Sequence, residues 1–124
     1  MKTNRIGKTD VEVTETAFGC ASIGNLYRAV TEEDAQAVLQ SAWDAGIRYF
    51  DTAPIYGAGL SEQRLGKALA HVSRDEYTLS TKVGRLISDE LDTESRNGPF
   101  SHGLKNKILT DYSGDATMRS IEAS

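Results

Sequence analysis

Three side chains with complementary chemistry stand at the ends of two predicted strands. Asp51 and Tyr56 follow the apolar segment at residues 47–50, and Lys82 lies near the end of the alternating segment at residues 77–83. Because the parallel strands of a barrel end at one face, these side chains are expected to meet there. A carboxylate holds an ammonium in place, and an ammonium stabilises a phenolate, which lowers a phenol pKa from about 10 towards neutrality. The arrangement predicts a tyrosine that donates and accepts a proton.

Each of these residues also has a plainer interpretation. A tyrosine in a glycine-bounded loop is usually a packed aromatic, a strand-end lysine is usually solvated, and an Asp-Thr pair often serves a turn. In the strand at residues 77–83, however, Thr78, Ser80 and Lys82 share one face. Leu79 and Val83 take the other face. A polar face on a strand flanked by helices is typical of a barrel interior near a functional site.

The first predicted helix begins after Thr31, whose hydroxyl is a typical N-cap ahead of acidic first-turn residues. Its apolar positions recur at helical spacing, and Gly46 stands where a C-cap glycine is expected. The members of this stripe are Ala35, Val38, Leu39, Ala42 and Trp43. The strand at residues 47–50 follows the helix directly, and it leads into Asp51.

The second predicted helix has Ser61 as its N-cap and buries the side chains of Leu65, Ala68 and Leu69. It connects the strand before Asp51 with the strand that carries the lysine. The helix therefore serves as the crossover that makes the two strands parallel.

The last third of the chain is predicted to be a loop followed by a helix. Residues 85–112 show no clear period and contain an acidic cluster, so a long loop is expected. Ser113 opens a third helix with Met118 and Ile121 on one face. No glycine, proline or basic last turn follows before Ser124, so the helical pattern is expected to be cut short there.

The order of elements predicts an α/β fold with a parallel sheet. A short hairpin within residues 1–18 and a buried strand at residues 16–20 come first, and a loop of small residues at 19–30 follows. Three βα units then build a parallel sheet whose faces both need cover. Because three strands leave an unpaired edge, we expect the beginning of a larger fold. A self-contained flavodoxin-like sheet is the weaker alternative, since residues 19–24 lack a G-x-G-x-x-G pattern.

Composition excludes several classes of partner. The chain has 124 residues and a formal net charge of −4, with no basic stripe, so neither nucleic acid nor an anionic membrane is expected as a partner. No apolar run approaches the ~20 residues of a membrane span, and the start lacks a secretory h-region. The single Cys20 fits a reducing, cytoplasmic location. No metal site is predicted.

Several segments resemble the signatures of the aldo-keto reductase family. They are residues 50–57 (FDTAPIYG), 59–66 (GLSEQRLG) and 80–84 (STKVG), together with 5–9 (RIGKT) and 45–52 (AGIRYFDT). Residues 19–28 (GCASIGNLYR) and 111–113 (DYS) look similar to the branch that includes the L-fucose, D-threo-aldose and pyridoxal dehydrogenases. The resemblance covers essentially the whole chain.

The resemblance implies the N-terminal portion of a (β/α)₈ TIM barrel, with residues 1–124 forming part of one barrel domain. It implies hydride transfer between NAD or NADP and a small-molecule carbonyl or alcohol substrate such as a sugar. By motif position, Tyr56 is the general acid/base, Lys82 supports it, and Asp51 pairs with the lysine near the nicotinamide ribose. Gly19 and Cys20 match positions that line the cofactor.

One catalytic position of the family has no counterpart in the chain. The family places a histidine at the end of its fourth strand, whereas His71 follows the second helix and His102 lies in the segment after the third strand. Both are predicted to be surface residues. The family's phosphate and adenine contacts also come from later strands. Against a barrel of typically about 250 residues, this predicts a fragment that is inactive alone. The alternative is a non-enzymatic regulatory or binding barrel piece.

Overall fold

The structure, a computed structural model, describes residues 1–124 as seven short strands and three helices. The strands are β1 (Thr3–Arg5), β2 (Glu12–Thr14), β3 (Phe18–Gly19), β4 (Tyr49–Asp51), β5 (Thr78–Ser80), β6 (Arg85–Leu91) and β7 (Asn106–Thr110). The helices are α1 (Glu32–Asp44), α2 (Leu60–Leu69) and α3 (Gly114–Ala123). None of the three is both long and apolar enough to cross a membrane.

The central feature is a parallel sheet in the order β3-β4-β5, with α1 and α2 as the two crossovers. Gly19 pairs with Asp51, and Asp51 pairs with Ser80, so the carboxyl ends of the three strands are in register. The predicted run of βα units is therefore confirmed. β1 and β2 form the predicted N-terminal hairpin as a separate antiparallel pair.

The hydrophobic core lies between this sheet and the two helices. Phe50 on β4 is 1% exposed, and the rings of Phe18 and Trp43 lie 6.3 and 6.5 Å from its ring. The buried core residues are Cys20, Ile23, Ala35, Leu39, Ala42, Phe50, Leu65 and Leu69. The core residue Phe50 thus comes directly before Asp51 on β4.

Helix α1 begins and ends as predicted. The Thr31 hydroxyl accepts a hydrogen bond from the backbone N–H of Asp34 at 3.1 Å, and Gly46 after the helix has a φ of +94°. One member of the predicted stripe, Val38, is instead 40% exposed. It lies at the edge of the buried face, where no second layer covers it.

The predicted N-cap of α2, Ser61, is wrong. Gly59 is the N-cap, with a φ of +98°, and Ser61 lies inside the first turn with no exposed surface. The Ser61 hydroxyl donates to the carbonyl of Cys20 at 2.8 Å and shares a hydrogen bond with Thr52 Oγ1 at 2.8 Å. Ser61 therefore ties α2 to the ends of β3 and β4 rather than capping the helix.

The long loop predicted at residues 85–112 is also corrected. β6 and β7 form an antiparallel hairpin, with an irregularity between Ile87 and Leu91. Its acidic residues mask the strand pattern in the sequence, but across the hairpin Glu90 pairs with Lys107 at 3.1 Å. We call residues 92–105, between the two strands, the hairpin loop.

Helix α3 begins as predicted and buries a different face. The Ser113 hydroxyl accepts from the N–H of Ala116 at 3.1 Å. Met118 and Ile121 are 61% and 49% exposed, whereas Ala116 and Ser120 are the buried residues of the helix. The small residues pack because α3 lies close against β6.

Candidate active site

The candidate site is built on an ion pair at the carboxyl end of the parallel sheet. Asp51 is the last residue of β4, and its Oδ2 accepts a hydrogen bond from Lys82 Nζ at 2.8 Å. The same ammonium donates to the carbonyl of Thr52 at 2.9 Å. The two side chains are 37% and 46% exposed, so the pair faces an open side of the sheet. The predicted meeting of these two residues is therefore observed.

Neighbouring hydroxyl groups orient the carboxylate. Ser80, which lies opposite Asp51 on β5, donates to its Oδ1 at 2.5 Å. Tyr49 OH lies 3.0 Å from Ser80 Oγ and extends the chain of hydrogen bonds along the sheet. Both carboxylate oxygens are thus occupied, which fixes the direction in which the lysine is held.

The ion pair shifts both pKa values towards the charged forms. Partial burial alone would raise the pKa of Asp51, but the hydrogen bonds from Lys82 and Ser80 outweigh it and hold the pKa below its usual range. Partial burial likewise opposes a charged Lys82, but the hydrogen bond to Asp51 and its negative charge raise the lysine pKa above its usual range. The site therefore keeps a fixed ammonium at neutral pH.

Tyr56 lies in the turn after β4, next to this ammonium. Lys82 Nζ is 4.9 Å from the centroid of the Tyr56 ring, and the ring is half-buried. The structure therefore brings Asp51, Lys82 and Tyr56 into one cluster. Their catalytic roles stay a prediction.

Close backbone packing fixes the turn that carries Tyr56. A Cβ added to Gly24 would lie 2.6 Å from the carbonyl oxygen of Tyr56, and one added to Gly103 would lie 2.5 Å from Gly57 Cα. Gly57 itself has a φ of +73°. Two other segments of backbone thus approach the tyrosine turn where a side chain would not fit.

The buried residue Arg64 holds the loop at residues 22–30 in place. Only 7% of it is exposed, and its guanidinium donates to the carbonyls of Ile23 and Val30 at 2.9 and 2.8 Å. It also donates to Asn25 Oδ1 at 3.0 Å and to Glu32 Oε2 at 2.9 Å. The hydrogen bond from Arg64 holds the pKa of Glu32 below its usual range. Sequence reasoning missed this role, although Arg64 precedes Leu65 and lies three residues after Ser61, on the buried side of α2.

The two predicted cofactor-lining residues lie in different environments. Gly19 is exposed at the end of β3, and a Cβ there would meet no atom within 4 Å. Cys20 has no exposed surface, and its N–H and carbonyl bond to Asp51 O and Ser61 Oγ, both at 2.8 Å. Burial, assisted by the Asp51 charge and opposed by Lys82, raises the pKa of the Cys20 thiol to about 12. The thiol is therefore protonated at neutral pH. Contact of either residue with a cofactor stays a prediction.

The two histidines are surface residues, as predicted. His71 follows α2 and His102 is in the hairpin loop, and both side chains are exposed. The carbonyl of His102 accepts a hydrogen bond from Asn25 Nδ2 at 2.8 Å, so its backbone has a structural contact while its imidazole does not.

The Asp51–Lys82 pair predicts a pH window for stability. Asp51 has a depressed folded pKa, so its contribution is present above the unfolded value of about 3.9 and is lost as pH falls through the folded pKa. Lys82 has a raised folded pKa, so its contribution is present below about 10.4 and is lost as pH rises through the folded pKa. We expect Asp51→Asn to cost at most about 1 kcal/mol at neutral pH, because the pair is partly solvated.

Urea unfolding of the chain and of Asp51→Asn, repeated across a range of pH, measures the contribution of the Asp51–Lys82 pair to stability. The difference in free energy of unfolding should be constant from about pH 5 to 9 and should shrink below about pH 4. A difference that grows as the pH falls would contradict the assigned sign.

A parallel sheet with a carboxylate, an ammonium and a phenol at its carboxyl edge is typical of an α/β barrel with its site at the strand ends. A profile of the aldo/keto reductase family matches residues 15–124. The chain belongs to the aldo/keto reductase family.

Two curated relatives are dehydrogenases whose names contain a sugar and pyridoxal. The chain is 60% identical over 70 residues to D-threo-aldose 1-dehydrogenase of a Pseudomonas species, covering 56% of the chain and 21% of that protein. It is 40% identical over 128 residues to pyridoxal 4-dehydrogenase of Microbacterium luteolum, covering 96% of the chain and 37% of that protein. The chain thus spans between a fifth and two-fifths of the length of these relatives.

Solved structures confirm the predicted fold over almost the whole chain, which again matches only part of each of them. A holo-form aldo-keto reductase from Bacillus halodurans superposes with a TM-score of 0.71 at 30% identity, covering 98% of the chain and 34% of that structure. Glycerol dehydrogenase from Gluconobacter oxydans gives a TM-score of 0.68 at 28% identity, covering 97% of the chain and 33% of that structure. The three βα units therefore correspond to about a third of a barrel.

Proposed function

We propose that residues 1–124 are part of one barrel domain and contribute the proton-transferring side of an NAD(P)-dependent oxidoreductase that acts on a sugar or another aldehyde or alcohol. The observation that carries the proposal is the Asp51–Lys82 ion pair beside the Tyr56 ring. A positive charge held next to a phenol favours transfer of its proton. The names of the two curated relatives support an aldose or pyridoxal-like substrate.

The residues at the strand ends fit a nicotinamide cofactor. Asp51 is a half-exposed carboxylate of the kind that accepts hydrogen bonds from ribose hydroxyls, and Gly19 beside it leaves open space. When bound, NAD or NADP supplies the hydride acceptor or donor. The chain's residues then handle the proton. In oxidation the phenolate form of Tyr56 would accept the substrate's hydroxyl proton, and in reduction the phenol form would donate its proton to the carbonyl oxygen.

Each remaining residue has a role that follows from its contacts. Lys82 supplies the charge that stabilises an oxyanion on Tyr56, and Asp51 with Ser80 keeps the ammonium in position. The ammonium held beside the Tyr56 ring is an arrangement suited to proton transfer, which supports the enzymatic proposal over a purely regulatory or binding barrel piece. We further propose a cytoplasmic location, which the free thiol of Cys20 supports.

The direct test is turnover by the full-length protein with NAD⁺ and NADP⁺, assayed in parallel by the absorbance of the reduced nicotinamide. We expect reduction of at least one cofactor that depends on an added aldose or pyridoxal-like alcohol. The 124-residue chain alone is the control and should show no turnover. Absence of substrate-dependent reduction across aldoses, pyridoxal-like alcohols and simple alcohols would refute the proposal.

A further inference from the structure

An aromatic side chain from the hairpin loop lies directly against Tyr56. The ring of Phe100 stacks on the Tyr56 ring with a centroid distance of 5.4 Å and an interplanar angle of 27°. Phe100 is half-buried, whereas the three residues just before it, Asn97, Gly98 and Pro99, are exposed. It is the one aromatic residue among residues 92–105. Its position beside the candidate proton-transferring phenol therefore calls for a functional explanation.

The hairpin loop is fixed to the site by backbone contacts on both sides of Phe100. The N–H of Leu104 donates to the carbonyl of Gly57 at 2.9 Å, and Asn25 Nδ2 donates to the carbonyl of His102 at 2.8 Å. Before the aromatic residue, the N–H of Tyr27 donates to the carbonyl of Pro99 at 2.6 Å. The position of the Phe100 ring is thus set by the same loops that pack around the tyrosine turn.

The base of the hairpin loop is closed independently of these contacts. Arg96 donates to the carbonyls of Leu104, at 3.2 Å, and of Asn106, and it pairs with Asp92 at 3.4 Å. A side chain from one end of the loop therefore holds its other end. Phe100 is presented from an anchored segment, which makes it suitable as a fixed wall.

A substrate that exchanges a proton with Tyr56 must bring its oxygen within hydrogen-bond distance of the phenol hydroxyl. Phe100 packs against the tyrosine ring, so it is the aromatic side chain that the structure offers beside the groups attached to the reacting carbon. An aromatic face binds flat apolar surfaces well, through burial and ring stacking. Both an aromatic ring and the C–H face of a sugar ring present such a surface.

We propose that Phe100 is a specificity-determining residue that forms the wall of the substrate site and selects substrates with a ring next to the reacting carbon. This inference rests on the proposed function. It goes beyond that function because it assigns substrate selection to the hairpin loop. Lys82 and Asp51 act on the proton, whereas Phe100 acts on the shape of the substrate.

The test compares ring and open-chain substrates in the full-length protein and in Phe100→Ala, with a hexopyranose, benzyl alcohol and glycerol as probes. We expect kcat/KM to fall about tenfold for the ring substrates, as expected for loss of a stacked aromatic contact, and to change less than about twofold for glycerol. Phe100→Trp should restore the preference. If kcat/KM falls only for the hexopyranose or only for benzyl alcohol, the result supports the proposal and shows whether Phe100 selects sugar rings or aromatic rings. An equal change for all three probes, or none, would overturn the proposal.

The matched control is Leu91→Ala in the same hairpin, which removes an apolar side chain that is 65% exposed. It should leave the ratio of kcat/KM for the ring substrates to kcat/KM for glycerol unchanged. Binding of benzaldehyde by saturation-transfer NMR provides a second measurement that needs no turnover. Phe100→Ala should weaken that binding about tenfold and Leu91→Ala should not. If the protein turns over no substrate, the proposed function fails while this binding measurement still decides the role of Phe100. Equal binding by both variants would overturn it.

Discussion

Replacing Tyr56 by Phe is expected to lower the turnover of the full-length protein by about 10²- to 10⁴-fold, the usual contribution of a positioned acid or base. The change removes one hydroxyl and keeps the ring, so the stack on Phe100 remains. The turn that carries Tyr56 also keeps its close backbone contact with Gly24. Lys82 keeps its hydrogen bonds to Asp51 and to the Thr52 carbonyl, because neither involves the phenol. The loss should therefore fall on the chemical step. Single-turnover measurement of cofactor reduction, with substrate saturating, checks it.

The control for this experiment is Tyr112→Phe, which removes a hydroxyl from a tyrosine that is 69% exposed and outside the cluster. Its turnover should be unchanged. Cofactor affinity, measured by fluorescence of the reduced nicotinamide, should be the same in the wild type and in Tyr56→Phe. Full activity of Tyr56→Phe would remove Tyr56 from the mechanism, even if the protein is an oxidoreductase.

The ion pair could be predicted from the sequence because its position depends on local patterns. The strands before Asp51 and Lys82 are short, apolar or alternating, and are separated by a helix with a recognisable buried stripe. A right-handed crossover then places their carboxyl ends side by side, with no long-range information needed. The observed register, Asp51 opposite Ser80, follows from that arrangement.

The hairpin and its aromatic residue could not be predicted in the same way. Strands β6 and β7 are joined by a 14-residue loop, and their acidic and mixed pattern has no strong period. Their pairing joins residues that are far apart in the sequence, such as Leu86 with Leu109 and Ile87 with Ile108. The contact of Phe100 with Tyr56 likewise joins residues that are far apart in the sequence. Tertiary packing decides such contacts, and hydrophobic periodicity carries no information about them.

Ser61 and Arg64 show a different limit. Both lie on α2; the sequence predicts Ser61 as a cap, the usual role of a serine at a helix start, and predicts no role for Arg64. The structure buries both, and they donate to backbone carbonyls of the loop at residues 20–30, after β3: Ser61 to Cys20, and Arg64 to Ile23 and Val30. The loop has no regular secondary structure beyond one turn at Ser22–Gly24, so its carbonyls need side-chain donors.

Replacing Arg64 by Met is expected to lower the free energy of unfolding by about 3 kcal/mol, the scale expected when several buried acceptors lose their donor. Methionine fills much of the same volume but donates nothing. The carbonyls of Ile23 and Val30 and the amide oxygen of Asn25 would then lose a donor in an interior that has no unpaired buried side-chain polar atom. Urea unfolding of the chain, followed by far-UV circular dichroism, measures the loss.

Lys67→Met is the matched control, because it removes a second cation that pairs with Glu32, at 3.5 Å, from a side chain that is 66% exposed. It should cost less than about 1 kcal/mol. The contrast between the two variants separates hydrogen bonding inside the loop from simple charge pairing with Glu32. Equal losses would mean that Arg64 stabilises the fold only through Glu32. A loss confined to Arg64→Met would establish that its hydrogen bonds to the loop at residues 22–30, and not its charge pairing with Glu32, stabilise the fold.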